Sequence, residues 1–224
     1  MLKECVFNKT CSSATTDICT SSCIRYIQFN RLLELSNLPE SYYKPIKLND
    51  TYITDNDKEM FDKLNSIDML EFVKKGKNLF ICSNGCGNGK TTWAIKLMQR
   101  YFYKSWQNSY DITRGIFVKV TKLLNDMRNF EDIPEYTTRV KDADLVIFDD
   151  LGSDRLTDFG HEQLIQIIDY RLDHNLSNIY TSNITKSEDL ITKIGARLTS
   201  RTFNSSKVIT FDSRDYRSIQ KGIS

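Results

Sequence analysis

The residues with the clearest chemical signature form a glycine-rich segment, SNGCGNGKTT, over residues 83–92. Small residues let successive backbone N–H groups turn inward around an anion, and a helix that begins there adds the positive end of its dipole. A lysine at this position reaches the outer phosphates of a nucleotide, and the hydroxyl that follows coordinates magnesium. The pattern predicts a nucleotide site made of Asn84, Gly85, Cys86, Gly87, Asn88, Gly89, Lys90, Thr91 and Thr92.

This phosphate loop departs from the usual pattern at Asn84, which stands where the first glycine is expected. Asparagine is among the few residues that tolerate left-handed backbone angles, so the loop can still form. Cys86 lies inside the loop, where we interpret it as a small residue that the loop tolerates.

A second candidate is the acidic pair Asp149 and Asp150, which ends the apolar run LVIF. The first carboxylate of such a pair holds the magnesium shell, and the second orients or deprotonates the attacking water. The alternative is a plain turn, but the apolar run and the upstream loop favour the functional interpretation. Because an aspartate carboxylate reaches less far than that of a glutamate, we expect slow hydrolysis.

Polar residues near two later strands complete the candidate site. Asn183 ends the run IYTSN, where an amide can fix the water or the γ-phosphate; a turn asparagine is the alternative. Arg197 and Arg201 lie four residues apart and therefore share one face of a helix. An arginine that stabilises phosphoryl charge is often supplied by a neighbouring subunit, whereas a solvated basic face or local salt bridges are the alternative.

Four of the six cysteines, Cys5, Cys11, Cys19 and Cys23, fall within the first 23 residues. The polar segment between them cannot fold by burial alone, and four thiolates supply the tetrahedral ligand set that zinc prefers. We therefore predict a zinc module, with free thiols or disulfides as the alternative because the spacing is not a paired CxxC pattern.

From residue 78 onward, apolar runs of strand length alternate with helical stretches. The predicted strands cover 78–83, 115–120, 144–150, 178–183 and 207–211, and the predicted helices 90–106, 121–130, 161–175 and 187–203. Strands that are apolar on both faces indicate an α/β fold with a parallel sheet sandwiched by helices.

Upstream of this region, the apolar spacing predicts helices over 24–36 and 55–75. The chain is thus expected to divide into a Cys-rich zinc-binding module (1–36), a linker (37–54) and an α/β domain (55–224). Few residues follow the last predicted strand, so we expect no C-terminal helical lid.

Composition narrows the class of protein. The 224 residues include 31 Lys and Arg against 29 Asp and Glu, a balance that excludes a histone-like coat. A hydrophobic share of 40% excludes a disordered chain. No apolar run approaches the ~18 residues that span a bilayer, and the first residues lack a signal-peptide core. We expect a cytoplasmic protein without membrane contact.

Together these motifs resemble the AAA+ ATPases, and among them the helicase loaders of the DnaC/DnaI type. The resemblance covers about residues 52–217 and rests on SNGCGNGKTT as Walker A, LVIFDDLGSDRLTDFGHEQLIQIIDYRL as Walker B with its helix, IYTSN as sensor 1 and IGARLTSRTF as the arginine-finger box. It implies ATP with Mg²⁺ as the bound nucleotide. It also implies that Arg201, or failing that Arg197, is the finger.

The resemblance implies partners as well. The N-terminal module is expected to dock a DnaB-type hexameric replicative helicase, and the ATPase domain to touch single-stranded DNA as part of an oligomer on that helicase. Residues 186 to 224 include eight Lys and Arg but only four Asp and Glu. In addition, Lys119, Lys122 and Arg128 lie in or beside the predicted helix over 121–130. Charge alone leaves DNA contact and a solvated basic face equally open.

Three other functions stay open at this point. An IstB-type transposition helper would polymerise on duplex DNA and contact a transposase. A metabolic P-loop kinase would need an acceptor-binding insert, which is not evident in the sequence. A pure adaptor would use nucleotide only for structure, although the intact Lys90, Thr91 and Asp149 predict at least binding of magnesium–ATP.

Overall fold

The computed structural model describes residues 5–14, 16–44, 46, 54–108, 114–129, 133–212 and 215–216. Within these residues the strands are β1 (Asn78–Cys82), β2 (Gly115–Lys119), β3 (Leu145–Asp149), β4 (Ser177–Ser182) and β5 (Lys207–Thr210). They form one sheet in the order β2-β3-β4-β1-β5, and all neighbouring pairs are parallel. The predicted parallel α/β sheet is therefore confirmed.

Helices cover both faces of the sheet. They are α1 (Ile24–Leu35), α2 (Asp55–Asn65), α3 (Met69–Lys74), α4 (Lys90–Ser105), α5 (Val120–Asn129), α6 (Ile133–Asp142), α7 (Asp158–Asp173) and α8 (Ser187–Thr199). Side chains alternate across β1, so that Leu79 and Ile81 face one core while Phe80 and Cys82 face the other. The first core includes residues of α1 to α4, and the second includes residues of α5, α7 and α8.

The predicted helix over 55–75 is wrong in one respect, because it consists of two helices. Ser66 ends α2, and the Asp68 side chain accepts hydrogen bonds from the backbone N–H groups of Leu70 and Glu71 at the start of α3. An aspartate in that position favours a new helix start over continuation. The break turns α3 onto α4, where Met69 and Phe72 are buried.

Helix α6 was not predicted. Its sequence, IPEYTTRVKD, carries a proline and three β-branched residues after the first turn, which lowers helix propensity. The helix is stabilised at its end by Arg171, whose guanidinium donates to the carbonyls of Val140, Lys141 and Ala143 at 2.8–3.0 Å. Arg171 is fully buried, and burial lowers its pKa to about 10.

The N-terminal residues pack against α4. Phe7 stacks on Tyr103 with ring centroids 4.8 Å apart and meets Phe29 of α1 edge-on at 5.8 Å. Thr10 and Tyr103 share a hydrogen bond of 2.6 Å between their hydroxyl oxygens. Of the expected linker, residues 37–44, 46 and 54 are described, and Gln99 of α4 donates to the carbonyls of Tyr42 and Lys44. The rest of the linker lies outside the described residues.

None of the helices in the described part of the chain combines the length and apolar character required to cross a membrane.

Candidate nucleotide-binding site

The phosphate loop connects β1 to α4 at the carboxyl edge of the sheet. Gly87 and Gly89 have φ values of 76° and 87°, a conformation that side-chain-bearing residues rarely adopt. Gly89 is also the residue that precedes the first turn of α4. The glycines therefore allow the chain to turn sharply and leave the helix N-terminus facing the loop, as the motif predicted.

Lys90 lies buried at the centre of the loop. Its Nζ donates to Ser83 Oγ at 2.8 Å, to the Gly85 carbonyl at 2.7 Å and to Asn88 Oδ1 at 2.9 Å. Burial lowers the pKa of Lys90, while the nearby Cys86 and Asp150 act in the opposite direction. The ammonium thus points into the loop, where a phosphate oxygen would replace some of these acceptors.

The loop forms with Asn84 in place of the usual first glycine, and it does so without the left-handed backbone that asparagine tolerates. The described non-glycine residues with positive φ are Asn37, Asp150 and Asn175, so Asn84 does not take a left-handed conformation. Its Oδ1 accepts a hydrogen bond of 2.7 Å from the hydroxyl of Thr185, two residues beyond Asn183. The side chain connects the loop to the segment after β4, and no left-handed backbone is needed at this position.

The acidic residue at the end of β3 is joined directly to the loop. Asp149 Oδ1 accepts hydrogen bonds from Thr91 Oγ1 at 2.8 Å and from Thr181 Oγ1 at 2.7 Å. Burial raises the pKa of Asp149, and the two hydroxyl donors partly offset that effect. A hydroxyl and a carboxylate this close form the hard oxygen pair that Mg²⁺ prefers, so the residues present fit the predicted ion.

Asp150 has a left-handed backbone with a φ of 59°. Its N–H donates to Thr181 Oγ1 at 3.0 Å. Thr181 therefore contacts both acidic residues, a role that the sequence analysis missed. The available signal was its place in IYTSN, the strand that lies beside β3 in the sheet.

Asn183 follows β4 directly and is half-buried. Since β4 lies between β1 and β3, all three strands deliver their ends to the same edge of the parallel sheet. The topology thus brings Asn183 to the edge that carries the phosphate loop and Asp149, as a residue that acts on the γ-phosphate side requires.

Arg197 and Arg201 share a face, as predicted, but their nearest acidic partner is on α7. Arg197 Nη2 lies 2.7 Å from one carboxylate oxygen of Asp169, and Arg201 Nε lies 2.9 Å from the other. Gly195, with a φ of 80° and a ψ of 158°, kinks α8 just before them. Their side chains are 63% and 50% exposed, so both remain reachable from outside the chain.

The four N-terminal cysteines line one cavity of about 380 Å³. They are free thiols, and the pKa of Cys5 is raised by burial and further by Cys19, Cys23 and Cys11. Among the described residues, no group of three or more His, Cys, Asp or Glu side chains is arranged to hold a metal ion. The thiols are thus gathered around one space without a finished ligand geometry.

A groove of about 670 Å³ runs beside β2 and α5. Phe117 and Tyr136 offer aromatic rings in it, and Lys119 and Lys122 offer exposed ammonium groups. Arg128 lies further along α5, where it donates to Thr157 at 3.4 Å. The remaining predicted basic residues divide into two groups. Lys186, Lys193, Arg197, Arg201 and Lys207 are exposed, while Arg214, Arg217 and Lys221 lie outside the described residues.

The model of the family described as IstB-like ATP binding protein matches residues 25–220. The crystal structure of the DnaC helicase loader is similar with a TM-score of 0.59 and 22% identity, over 77% of this chain and 99% of that one. The crystal structure of DnaI is similar with a TM-score of 0.60 and 20% identity, over 78% of this chain and 95% of that one. No curated protein matches.

A third solved structure, a putative primosome component from Streptococcus pyogenes serotype M3, gives a TM-score of 0.61 and 22% identity, over 81% of this chain and 95% of that one. At these identities the likenesses establish the fold, which is the α/β AAA+ type that the sequence predicted. The family match covers both the phosphate loop and the strand that carries Asp149.

Proposed function

The chain belongs to the family of IstB-like ATP-binding proteins, and from that premise we propose that it is an ATP-dependent helicase loader of the cytoplasm. In this proposal it binds a DnaB-type hexameric replicative helicase and helps to place it on single-stranded DNA. The observation that carries the proposal is the fold shared with the crystal structure of the DnaC helicase loader, over 99% of the chain in that structure.

ATP hydrolysis is the proposed switch, and the bond between Thr91 and Asp149 supports it. Lys90 would bind the outer phosphates, Thr91 and Asp149 would hold Mg²⁺, and Asp150 would orient the attacking water with Asn183 nearby. The ion, when bound, would polarise the phosphate oxygens and neutralise developing charge. We propose slow turnover, because the short Asp150 side chain reaches less far than a glutamate would.

The loop proposal is tested by Lys90→Ala, with Lys96→Ala on the same helix as the matched control. Loss of the buried ammonium removes the main cationic partner of the phosphates, so ATP affinity should fall below detection in calorimetry. The ammonium of Lys96 lies over the ring of Trp93 and donates to Asn65 at the end of α2, so its variant should bind like the wild type. Retained affinity in Lys90→Ala would refute the assigned role of the loop.

The N-terminal residues are proposed to hold zinc through Cys5, Cys11, Cys19 and Cys23. Their arrangement around one cavity supports this, and the other three thiols lie close enough to Cys5 to affect its pKa. Purified protein should carry about one zinc per chain, and Cys19→Ser should lower that content while Cys86→Ser should not. A metal-free chain with a folded N-terminus would reject the zinc module.

Contact with single-stranded DNA is proposed for the groove beside β2. Aromatic rings stack on bases and lysines track the backbone, a combination typical of sequence-tolerant binding. Lys122→Ala should weaken binding and lower the slope of log affinity against log salt by about one. Lys74→Ala, which removes an exposed lysine at the end of α3, is the control. If the two variants showed equal slopes of log affinity against log salt, this groove would not be part of the DNA-binding surface.

An IstB-type transposition helper is the second candidate, because the matching family model carries the IstB name. Such a protein would form ATP-dependent filaments on duplex DNA. Electron microscopy with duplex and single-stranded DNA separates the two functions. Filaments on duplex DNA alone would favour the transposition helper, whereas binding restricted to single strands would favour the loader.

A further inference from the structure

Residues that follow β5 lie directly against the phosphate loop. The Tyr216 N–H donates to the Gly87 carbonyl at 3.0 Å, and Asn88 Nδ2 donates to the Asp212 carbonyl at 3.1 Å. Asp215 approaches the loop so closely that a Cβ added to Gly87 would overlap its carboxylate group. We call Asp212, Asp215 and Tyr216 the latch residues.

A buried carboxylate at the start of α2 anchors the latch residues. Asp57 is fully buried, which is costly for a charge unless both oxygens find donors. Its Oδ1 accepts the Asp212 N–H at 2.8 Å, and its Oδ2 accepts the Tyr216 hydroxyl. The donors therefore come from both sides of Asp215, and Asp57 fixes the segment that carries it.

The anchoring extends to the helix start before Asp57. Thr54 Oγ1 and Asn56 Nδ2 donate to the two oxygens of Asp212 at 2.7 and 2.9 Å. The Asp212 carbonyl accepts from Asn88, whose own Oδ1 accepts from Lys90 Nζ at 2.9 Å. A continuous series of hydrogen bonds thus runs from α2 through the latch residues to the lysine that is proposed to bind phosphate.

We propose that the latch residues lower the affinity of the phosphate loop for nucleotide, with Asp57 as the positioning residue that holds them in place. The inference rests on the proposed nucleotide binding at the same loop. The carboxylate of Asp215 brings a negative charge to a loop whose other features attract anions, so it opposes an incoming polyphosphate. When Lys90 turns toward phosphate, Asn88 loses a partner and its hold on Asp212 weakens.

Thermodynamic reciprocity makes this coupling testable in both directions. A change that releases the latch residues must tighten nucleotide binding, and nucleotide must in turn loosen them. The coupling acts on phosphate charge, so adenosine, which has no phosphate, is the ligand that distinguishes it from general damage to the site.

The decisive variant is Asp215→Asn, which removes the charge from an exposed side chain and keeps its size. Calorimetry with MgATP, MgADP and adenosine should show about two- to five-fold tighter binding of MgATP, the range for one exposed charge interaction. MgADP should also bind more tightly, and the affinity for adenosine should not change. Asp173→Asn, which removes an exposed charge at the far end of α7, should leave all three ligands unchanged.

Tyr216→Phe provides the second variant, because it removes only the hydroxyl that Asp57 accepts. It should tighten MgATP binding in the same direction as Asp215→Asn and leave adenosine binding alone. Equal or weaker MgATP binding by Asp215→Asn overturns the latch proposal while the ATP-binding assignment stands. Absence of MgATP binding by both wild type and variant overturns the two proposals together.

Discussion

Replacing Thr181 by valine tests how the acidic pair is held. The valine keeps the shape of the threonine but removes the hydroxyl that donates to Asp149 Oδ1 at 2.7 Å and accepts the Asp150 N–H at 3.0 Å. A hydrogen bond to a charged group contributes about 1.5–3 kcal/mol, and an unpaired buried N–H costs about 1–3 kcal/mol. Thr91 still donates to Asp149, so we expect a total loss of about 2–4 kcal/mol of unfolding free energy, since coupled losses do not add fully.

The same variant should change the pH dependence of activity. Burial already raises the pKa of Asp149 above its ordinary value, and Thr181 is the larger of the two hydrogen-bonding influences that lower it. Removal of that donor raises the pKa further, so the carboxylate that holds Mg²⁺ forms only at higher pH. The acidic limb of the ATPase profile should therefore move to higher pH.

The free energy of unfolding of Thr181→Val should also depend on pH. A carboxyl group whose pKa is raised on folding binds more protons in the native state, so its effect on stability worsens as pH rises above the ordinary carboxyl pKa. The destabilisation by Thr181→Val should thus be larger at pH 7 than at pH 5.

Denaturant titration and a pH–rate profile measure both effects. The matched control is Thr210→Val, on the edge strand, where the hydroxyl lies 3.4 Å from Cys82 Sγ. If the two valine variants unfold with equal free energies and show the same acidic limb, Thr181 does not hold the acidic pair and the reasoning fails.

The other predictions concern the arginines. Arg201→Ala should leave ATP binding intact, as its contacts go to Asp169 and not to the loop, yet lower turnover in the assembled complex; unchanged turnover would transfer the finger role to Arg197 or remove it. Arg171→Met should reduce the free energy of unfolding by about 3–5 kcal/mol in urea titration, because carbonyls at the end of α6 and at the first residue of β4 lose their buried donor. A loss below about 1 kcal/mol would contradict that role of Arg171.

Much of the fold followed from local pattern. Runs such as LVIF and NLFIC are apolar on both faces and short, which suffices to predict buried parallel strands. The order of the strands in the sheet could not be predicted in this way. Strand β4 lies between β1 and β3, and the contacts that place it there join residues far apart in the sequence. Helix α6 was missed for a similar reason, since Arg171, about 30 residues downstream, supplies the donors at its end.

In the candidate site, too, some residues could be predicted from local sequence and others could not. Lys90, Thr91 and Asp149 are recognisable because phosphate and magnesium chemistry restricts their types and spacing. Thr181 and Asp57 are not, because their roles depend on partners 32 and 155 positions away. The hydrogen bond that Thr185 donates to Asn84 also depends on a partner far along the chain, and the left-handed backbone that asparagine tolerates is not used.

The most direct test of the loader proposal is the native mass of this protein mixed with a DnaB-type replicative helicase, with and without magnesium–ATP. We predict a defined complex that forms with the wild type, persists in Lys90→Ala without responding to ATP, and is lost when residues 5–36 are removed. Absence of any complex, with ATP-dependent assemblies on duplex DNA instead, would contradict the loader account.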